Sequence, residues 1–192
     1  MTVPSIKATL FQTNADELGS LIASGRISNA QIAQRLDSED LKYFGKQLAA
    51  SSWVPISTST KILELLFELS GEADVCEFMR GRGRRGAERL RRTGIYSQLR
   101  DQPANEVAKH GARIAVSISS LMLNFTRWTP EEGEDVLLRI VVDDAAHFPD
   151  LNRFAAEGFI EHVVEGSPGN PKVAVSSKRV APDRIVFVVE PA

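Results

Sequence analysis

The spacing of apolar residues changes near residue 120, and this change constrains the fold more than any other feature. Before it, apolar residues recur every three to four positions, as in TKILELLFELS (60–70), which is typical of a buried amphipathic helix. After it, segments such as KVAVSSKRV (172–180) and RIVFVVE (184–190) favour β-strands. The sequence therefore predicts an α/β protein of the α+β type.

The C-terminal third is predicted to form a ββαββ unit. Two strand segments, LMLNFTRWT (121–129) and DVLLRIVVDD (135–144), flank a polar turn, and a helix follows over about 150–165. The segments 172–180 and 184–190 then form a second hairpin. Two hairpins imply an antiparallel sheet with the helix on one face. We expect a single domain over 1–192, with an N-terminal helical layer (about 1–118) packed on the ββαββ part (about 119–192).

The N-terminal helices are located by their capping residues. Asn14, Ser28 and Ser38 are predicted N-caps of short helices, and Ser57 or Thr58 is the predicted N-cap of the apolar helix that stops at Gly71. A further helix is expected over 101–119.

Composition excludes several classes of protein. The formal net charge of −2 gives no overall attraction to nucleic acid or to anionic lipid, so such binding would have to be local. The single cysteine, Cys76, excludes an internal disulfide framework and a multi-thiolate zinc site. No apolar run reaches the ~20 residues that a membrane span needs. We expect a soluble cytoplasmic protein with no cofactor and no metal.

An arginine-rich stretch, MRGRGRRGAERLRRTG (79–94), contains the pattern G-x-G-x-x-G at residues 81–86. A dinucleotide site needs that pattern directly after a buried strand, whereas the preceding segment has helical character. As a helix, the stretch gathers small residues on one stripe: Gly83, Ala87, Leu90 and Gly94. The arginines Arg84, Arg85, Arg89, Arg91 and Arg92 occupy the opposite side and its flank.

Three roles are open for these arginines. They can be neutralised inside the fold or across a dimer by the acids just upstream, which are Glu64, Glu68, Glu72, Asp74 and Glu77. They can instead contact a protein partner, or the phosphates of a nucleic acid.

Other candidate site residues are few. The Asp143–Asp150 segment holds three carboxylates and His147, but it matches no metal-ligand spacing and is expected to be a loop with Asp150 as a helix cap. His162 is predicted on the helix face that meets the sheet, with Leu151, Phe154, Ala155 and Gly158. Trp53 and Tyr96 are candidate pocket-lining aromatics. No G-x-S-x-G motif is present, and the sequence predicts no enzyme.

The order of several motifs resembles a known group of bacterial proteins. "LAASSWVPISTSTKILELL", "MRGRGRRGAERLRRTGIYSQL", "ARIAVSISSLMLNFT" and the closing "FAAEGFIEHVV…VAVSSKRV…RIVFVVE" are similar to proteins of the heme-NO-binding, 4-vinyl-reductase and transport-particle-subunit fold. The resemblance includes uncharacterised paralogous domains of deltaproteobacterial type.

This resemblance implies a fold that encloses a hydrophobic pocket and that tends to dimerise. The last strands lack the cysteine of the 4-vinyl-reductase type, and the heme-binding Y-x-S-x-R signature is absent, so neither a thiolate metal site nor heme is carried over. The expected function is a non-enzymatic sensory or apolar-ligand-binding module for signal transduction. We expect a homodimer that also contacts a protein partner. The predicted pocket lies between the small-residue stripe, Trp53 and the His162 face; the alternative is a nucleic-acid-binding regulator using 84–92.

Overall fold

The fold is that of a computed structural model, which describes residues 2–92, 107–132, 136–165 and 172–192, without the side chains of 107–110 and 112. It mixes helices with antiparallel sheets, which confirms the predicted α+β class. The chain divides into two compact units. Unit 1 comprises Met1–Ala73 with Met122–Asn124, and unit 2 comprises Asp74–Leu121 with Phe125–Ala192. This division differs from the expected helical and ββαββ parts, because two long helices belong with the four-stranded sheet.

Unit 1 contains a small sheet and four helices. Strand β1 (Ser5–Lys7) pairs antiparallel with β2 (Trp53–Pro55), so that Ile6 lies opposite Val54. The helices are α1 (Ala8–Ala23), α2 (Asn29–Ala33), α3 (Ser38–Leu41) and α4 (Ile56–Ser70). Fully buried side chains from α1 and α4, including Phe11, Leu18 and Ile62, contribute to the core of unit 1.

The predicted caps of unit 1 are confirmed in part. Ser28 caps α2 in a reciprocal capping box with Gln31, and Gly71 ends α4 in the left-handed conformation with φ of 74°. Asn14 is not a cap, because α1 starts directly after β1 and runs through it. The cap of α3 is Asp37 and not Ser38. Helix α4 begins after Pro55 without a side-chain cap, so neither Ser57 nor Thr58 has that role.

The described residues of unit 2 form three long helices and a four-stranded sheet. The helices are α5 (Val75–Arg91), α6 (Val107–Met122), whose last residue belongs to unit 1, and α7 (Asp150–Glu165). The strands are β3 (Arg127–Glu131), β4 (Leu138–Asp143), β5 (Val173–Ala181) and β6 (Arg184–Pro191). They are ordered β3-β4-β6-β5, and every neighbouring pair is antiparallel. The predicted two hairpins with a helix between them are confirmed.

The sheet buries one face through alternation along its strands. Ile140 of β4 lies opposite Phe187 of β6, and Val175 of β5 lies opposite Val189, all four with buried side chains. The intervening positions of β5, such as Ser176 and Lys178, are exposed, whereas Val141 at an intervening position of β4 is buried as well. Helix α7 contacts β5 on the buried face, since Glu157 and Arg153 reach Ser177 of that strand.

Residues 121–124 do not form the predicted strand. Leu121 and Met122 complete α6, and Leu123 makes a single antiparallel bridge with Ile6. The strand over this segment is confirmed only from Arg127 onwards. The turn that follows β3 is described only in part, since residues 133–135 lie outside the described ranges.

Candidate interaction surface on the basic helix

The arginine-rich stretch is helical throughout its described part. Asp74 caps α5 by accepting hydrogen bonds from the backbone N–H groups of Cys76 and Glu77, at 2.8 and 3.1 Å. The helix then continues to Arg91 through all three glycines of the G-x-G-x-x-G pattern. The pattern therefore has no loop in which backbone amides could hold a phosphate, and the predicted helix is confirmed.

The small-residue stripe of α5 packs against the backbone of α7. A Cβ atom at Gly83 would overlap the carbonyl oxygen of Ala155 and lie 2.8 Å from the nitrogen of Phe159. A Cβ atom at Gly158 would overlap the carbonyl of Arg80 in the same way. Ala87, one turn further along α5, is fully buried. At Gly83 and Gly158 the space expected for a ligand is therefore filled by the neighbouring helix.

Two arginines of α5 fix how the two helices are aligned. Arg80 donates to Glu157, with Nη2 and Oε2 separated by 2.6 Å, and Arg84 donates to Glu161, with Nη2 and Oε2 separated by 2.7 Å. Both partners advance by four residues in the same direction, so the helices run parallel. Arg84 also pairs with Glu77 of its own helix. The hydrogen bond that Arg84 donates to Glu161 is the main reason why the pKa of Arg84 lies above its ordinary value.

The neutralisation expected for this helix comes mainly from a different set of acids. Of the upstream acids, Glu77 pairs with Arg84, but Glu68 pairs with Arg35 in unit 1 and Asp74 caps α5. The principal partners are Glu157 and Glu161 of α7, which the sequence analysis missed. Their signal was present in the sequence, because two glutamates four residues apart match two arginines four residues apart.

Glu157 is the most buried carboxylate of this contact, with a side chain only 3% exposed. It accepts hydrogen bonds from Arg80 of α5 and from the hydroxyl of Ser177 on β5. Arg153, one turn earlier on α7, donates to the carbonyl oxygen and the hydroxyl of the same serine. These bonds join α5, α7 and β5 through polar groups in an otherwise apolar interior.

Three exposed arginines of α5 and the arginine that caps its C-terminal end form what we call the arginine surface: Arg85, Arg89, Arg91 and Arg92. Arg85, Arg89 and Arg92 are four and three residues apart, so they lie along one side of the helix over about 10 Å. Arg92 pairs with Glu88 at 2.7 Å, but its side chain remains 76% exposed. Arg84, the fifth arginine of the predicted set, is half-buried and belongs to the α7 contact.

Four residues of the predicted pocket remain: Leu90, Gly94, Tyr96 and Trp53. Leu90 is half-buried on α5, and Gly94 and Tyr96 lie outside the described residues. Trp53 belongs to unit 1, where the residue is 40% exposed and Lys7 Nζ lies 3.8 Å from the ring centroid. This cation–π contact occupies one face of the indole.

The predicted orientation of α7 needs a correction. Ala155 and Gly158 were expected to face the sheet together with His162, whereas both contact α5. Residues on another side of the helix, such as Glu157, reach β5 instead. His162 is partly buried, and its Nε2 atom has no hydrogen-bond partner among the described residues.

The acidic segment near residue 145 is engaged in ion pairs. Asp143 accepts a hydrogen bond from Arg184 at 2.7 Å and pairs with Arg127 at 3.5 Å. The hydrogen bond from Arg184 holds the pKa of Asp143 below its ordinary value. Asp150 is the first residue of α7. Within the described part of the chain, no three His, Cys, Asp or Glu side chains are grouped to hold a metal ion, and no helix is long and apolar enough to cross a bilayer.

Unit 1 has an open groove of about 370 Å³ that the sequence analysis did not foresee. It runs between α1 and the segment 44–47. Gln12 in this groove already donates to Asp16 and accepts from the backbone of Leu48, so it fastens the segment to α1. We assign the groove a structural role.

Comparison with known proteins identifies no relative for this chain. A scan against protein-family models and searches of curated proteins and of solved structures give no match. The resemblance to the heme-NO-binding and 4-vinyl-reductase fold therefore stays a prediction, and function has to be argued from the arginine surface itself.

Proposed function

We propose that the chain is a non-enzymatic binding module that acts in the cytoplasm through contact with a protein partner, and that the arginine surface makes this contact. The observation that supports the proposal is that the arginines of α5 fall into a group that pairs with α7 and a group with exposed side chains. Arg80 and Arg84 pair with α7, whereas Arg85, Arg89, Arg91 and Arg92 have exposed side chains on the same helix. Arg89 and Arg92 also have interactions of their own, that of Arg92 being with Glu88.

The choice of arginine supports a recognition role for this surface. The stretch 79–94 has seven arginines and no lysine, although the whole chain has both residue types. Lysine would serve equally well for solubility or for compensating the helix dipole. Arginine differs in presenting a planar fork that binds a carboxylate through two hydrogen bonds. An anionic protein surface is therefore the partner that this helix suits best.

A nucleic acid is less well supported as the partner. Glu77 and Glu88 are exposed on the same helix, and Glu88 lies beside Arg85 and Arg92. A continuous row of phosphates along α5 would meet these carboxylates, whereas a protein presents separate carboxylates that can avoid them.

Two features of the sequence suggested an apolar ligand and a homodimer, and contacts within unit 2 account for both of them. The small-residue stripe meets α7 at Gly83, as described above. Helix α7 has a second apolar side, at Ile160 and Val164, of the kind that neighbouring helices or a symmetry mate can cover. Both residues are fully buried, and Gly111 of α6 packs against Val164. Contacts within unit 2 thus account for both features, and we propose a module that needs neither.

Titration of the full chain with three polymers at low salt tests the proposal. We expect binding to polyglutamate that weakens as salt rises, and markedly weaker binding to duplex DNA and to RNA. Failure to bind polyglutamate would reject the proposal, and DNA or RNA binding of equal strength would favour the nucleic-acid regulator.

Native mass spectrometry of the same sample should show the bare monomer mass; a retained apolar molecule would restore the ligand-binding hypothesis.

A further inference from the structure

The face of the four-stranded sheet that is turned away from α7 has charges on β3 and β4 whose order is inverted from one end to the other. At one end, Arg127 of β3 lies opposite Asp143 of β4. At the other end, four residues further along β3, Glu131 lies opposite Arg139. Each strand thus has one positive and one negative charge on this face, in opposite orders, with Val141 midway along β4. The charge pattern is therefore complementary to itself when one end is placed over the other.

Uncharged side chains lie between the two charged ends of this face. Thr129 of β3 is the register partner of Val141, and Val141 is the register partner of Val186 on β6. Val141 is buried, Val186 is half-buried and Thr129 is exposed, so this row reaches the surface. Val188 of β6, also half-buried, extends the row. A small apolar centre with charges at its margin is the usual composition of a protein–protein interface.

Two of the four charges make no ion pair within the described part of the chain. They are Glu131 and Arg139, and both are exposed. Arg127 Nη2 lies 3.5 Å from Asp143 Oδ2 and its side chain is 69% exposed, whereas Arg184 Nε lies 2.7 Å from Asp143 Oδ1. Arg127 can therefore turn to a second carboxylate while Asp143 keeps its closer partner.

We propose that the chain forms a reversible homodimer in which this sheet face packs against the same face of a second copy. A two-fold axis that passes beside Val141, in the plane of the interface and perpendicular to the strands, places each strand along its own counterpart and brings opposite ends together. Arg127 then faces Glu131 of the partner subunit, and Arg139 faces Asp143 of the partner subunit. Each contact occurs twice because of the symmetry, so all four charges of one copy meet an opposite charge.

This association should be weak because the face is small. Four strands about 4.8 Å apart, each with about seven residues at a rise of about 3.3 Å, give a face of roughly 400 Å² on each copy. Two copies then bury about 800 Å², which is below the roughly 1,200–2,000 Å² of a stable interface. The monomer is therefore expected in a dilute sample such as that used for native mass spectrometry. The arginine surface lies on α5, so dimer formation and the proposed partner contact are independent of each other.

Sedimentation equilibrium of the full chain over a concentration series, at low and at high salt, tests for the dimer. We expect a monomer–dimer equilibrium that weakens as salt rises. Glu131→Arg and Arg127→Glu each set like charges against each other, so each variant should associate about tenfold more weakly. Glu64→Arg, at an exposed residue of unit 1, changes the net charge as Glu131→Arg does and should leave the equilibrium unchanged. A chain that stays monomeric throughout the series would overturn the inference and leave the face to a different protein.

A mixture of the two weakened variants tests the two-fold arrangement itself. In a heterodimer of the Glu131→Arg chain with the Arg127→Glu chain, both contacts between the β3 strands join opposite charges again. The mixture should therefore associate within about twofold of the unaltered chain, although neither variant does so alone. Circular dichroism of each variant checks that the fold is kept. Association of the unaltered chain without this recovery in the mixture would overturn the proposed arrangement.

A further variant tests the position of the two-fold axis without reversing a charge. Lys178 of β5 is the register partner of Val186 and is exposed, so it lies at the level of the axis and approaches Lys178 of the partner subunit. Lys178→Gln removes this repulsion and should strengthen association about threefold. Weaker association of this variant would contradict the position of the axis.

Discussion

Among single residues, Glu157 links three elements of unit 2. It is a buried carboxylate that joins two helices and a strand through Arg80 and Ser177. A buried charge is stabilising only while its partners are present, because its desolvation cost is otherwise uncompensated.

Glu157→Gln should destabilise the protein by about 2 kcal/mol, less than for a fully buried pair because the Arg80 side chain is 35% exposed. Glu88→Gln removes an exposed partner of Arg92 and should cost less than about 0.5 kcal/mol. Urea denaturation of both variants gives the comparison. Equal losses of unfolding free energy in the two variants would show that the burial of Glu157 contributes little to stability.

Asp143 should make the stability of the protein depend on acid pH. Arg184 holds the folded-state pKa of this carboxyl below its ordinary value of 3.8, so the pair stabilises the fold above that pH. The stabilisation is lost as the pH falls through the folded-state pKa, because the protonated carboxyl no longer attracts the guanidinium group.

Asp143→Asn should therefore be less stable than the natural chain near neutral pH, and the difference should shrink as the pH falls below about 3.8. Thermal melts over a pH series measure this difference. Arg184→Gln should show the same trend because it removes the other member of the pair. A difference that is independent of pH would contradict the assignment.

At the scale of elements, the α5–α7 contact is set by glycine. The backbones of α5 and α7 can lie in direct contact only where neither helix has a side chain at the contact. Gly83 of α5 and Gly158 of α7 are the residues at this contact. The glycines lower helix propensity by about 1 kcal/mol each, so packing has to compensate.

Gly83→Ala should cost about 3 kcal/mol or more, because the new methyl group would overlap the backbone of α7. Gly86→Ala is the matched control on the same helix. No described atom lies within 4 Å of the added methyl group at Gly86, so this change should stabilise the protein by about 1 kcal/mol. Denaturant midpoints of the two variants should shift in opposite directions, and a shift in the same direction would refute the packing argument.

Two further glycines allow the free-energy cost of backbone conformation to be measured apart from the cost of packing. A Cβ atom at Gly71 or at Gly19 would meet no described atom within 4 Å, but only Gly71 has a positive φ. Gly71→Ala should therefore destabilise α4 by about 1 kcal/mol, whereas Gly19→Ala in the interior of α1 should stabilise by a similar amount. Thermal unfolding of the pair measures both effects. Similar shifts would mean that the left-handed conformation at Gly71 has no cost for alanine.

At the scale of the whole molecule, unit 1 depends on a distant part of the chain. Asn124 accepts a hydrogen bond from the backbone N–H of Ser5 at 2.7 Å and donates one to the carbonyl of Val3 at 3.1 Å. Asn124→Ala should accelerate amide hydrogen exchange in β1 and β2 about tenfold, and leave β4 and β6 unchanged. Asn29→Ala, at an exposed position of unit 1, should have no such effect. Equally accelerated hydrogen exchange in the sheets of both units would contradict the division of the chain into two compact units.

The sequence predicted those helices and strands whose apolar spacing is clear within a single segment. The α+β class followed from the change in apolar spacing, and α7 was predicted over its observed range, Asp150–Glu165. Helix α5 was also predicted from spacing, against a glycine pattern that suggests a loop in other contexts. The segment 121–124 was predicted wrongly because its short apolar run fits a strand or a helix end, and α6 together with β1 decided between them.

Apolar spacing thus predicted most of the described helices and the four strands of the larger sheet, and the sequence placed a concentration of arginines on one helix. Contacts between distant segments determine that Arg80 and Arg84 pair with α7 and that Arg85, Arg89 and Arg92 have exposed side chains. The physical reason is separation along the chain: Arg80 and Glu157 are 77 residues apart, as are Arg84 and Glu161. The spacing of residues on one helix cannot specify which distant helix will pack against it or which of its sides will be covered.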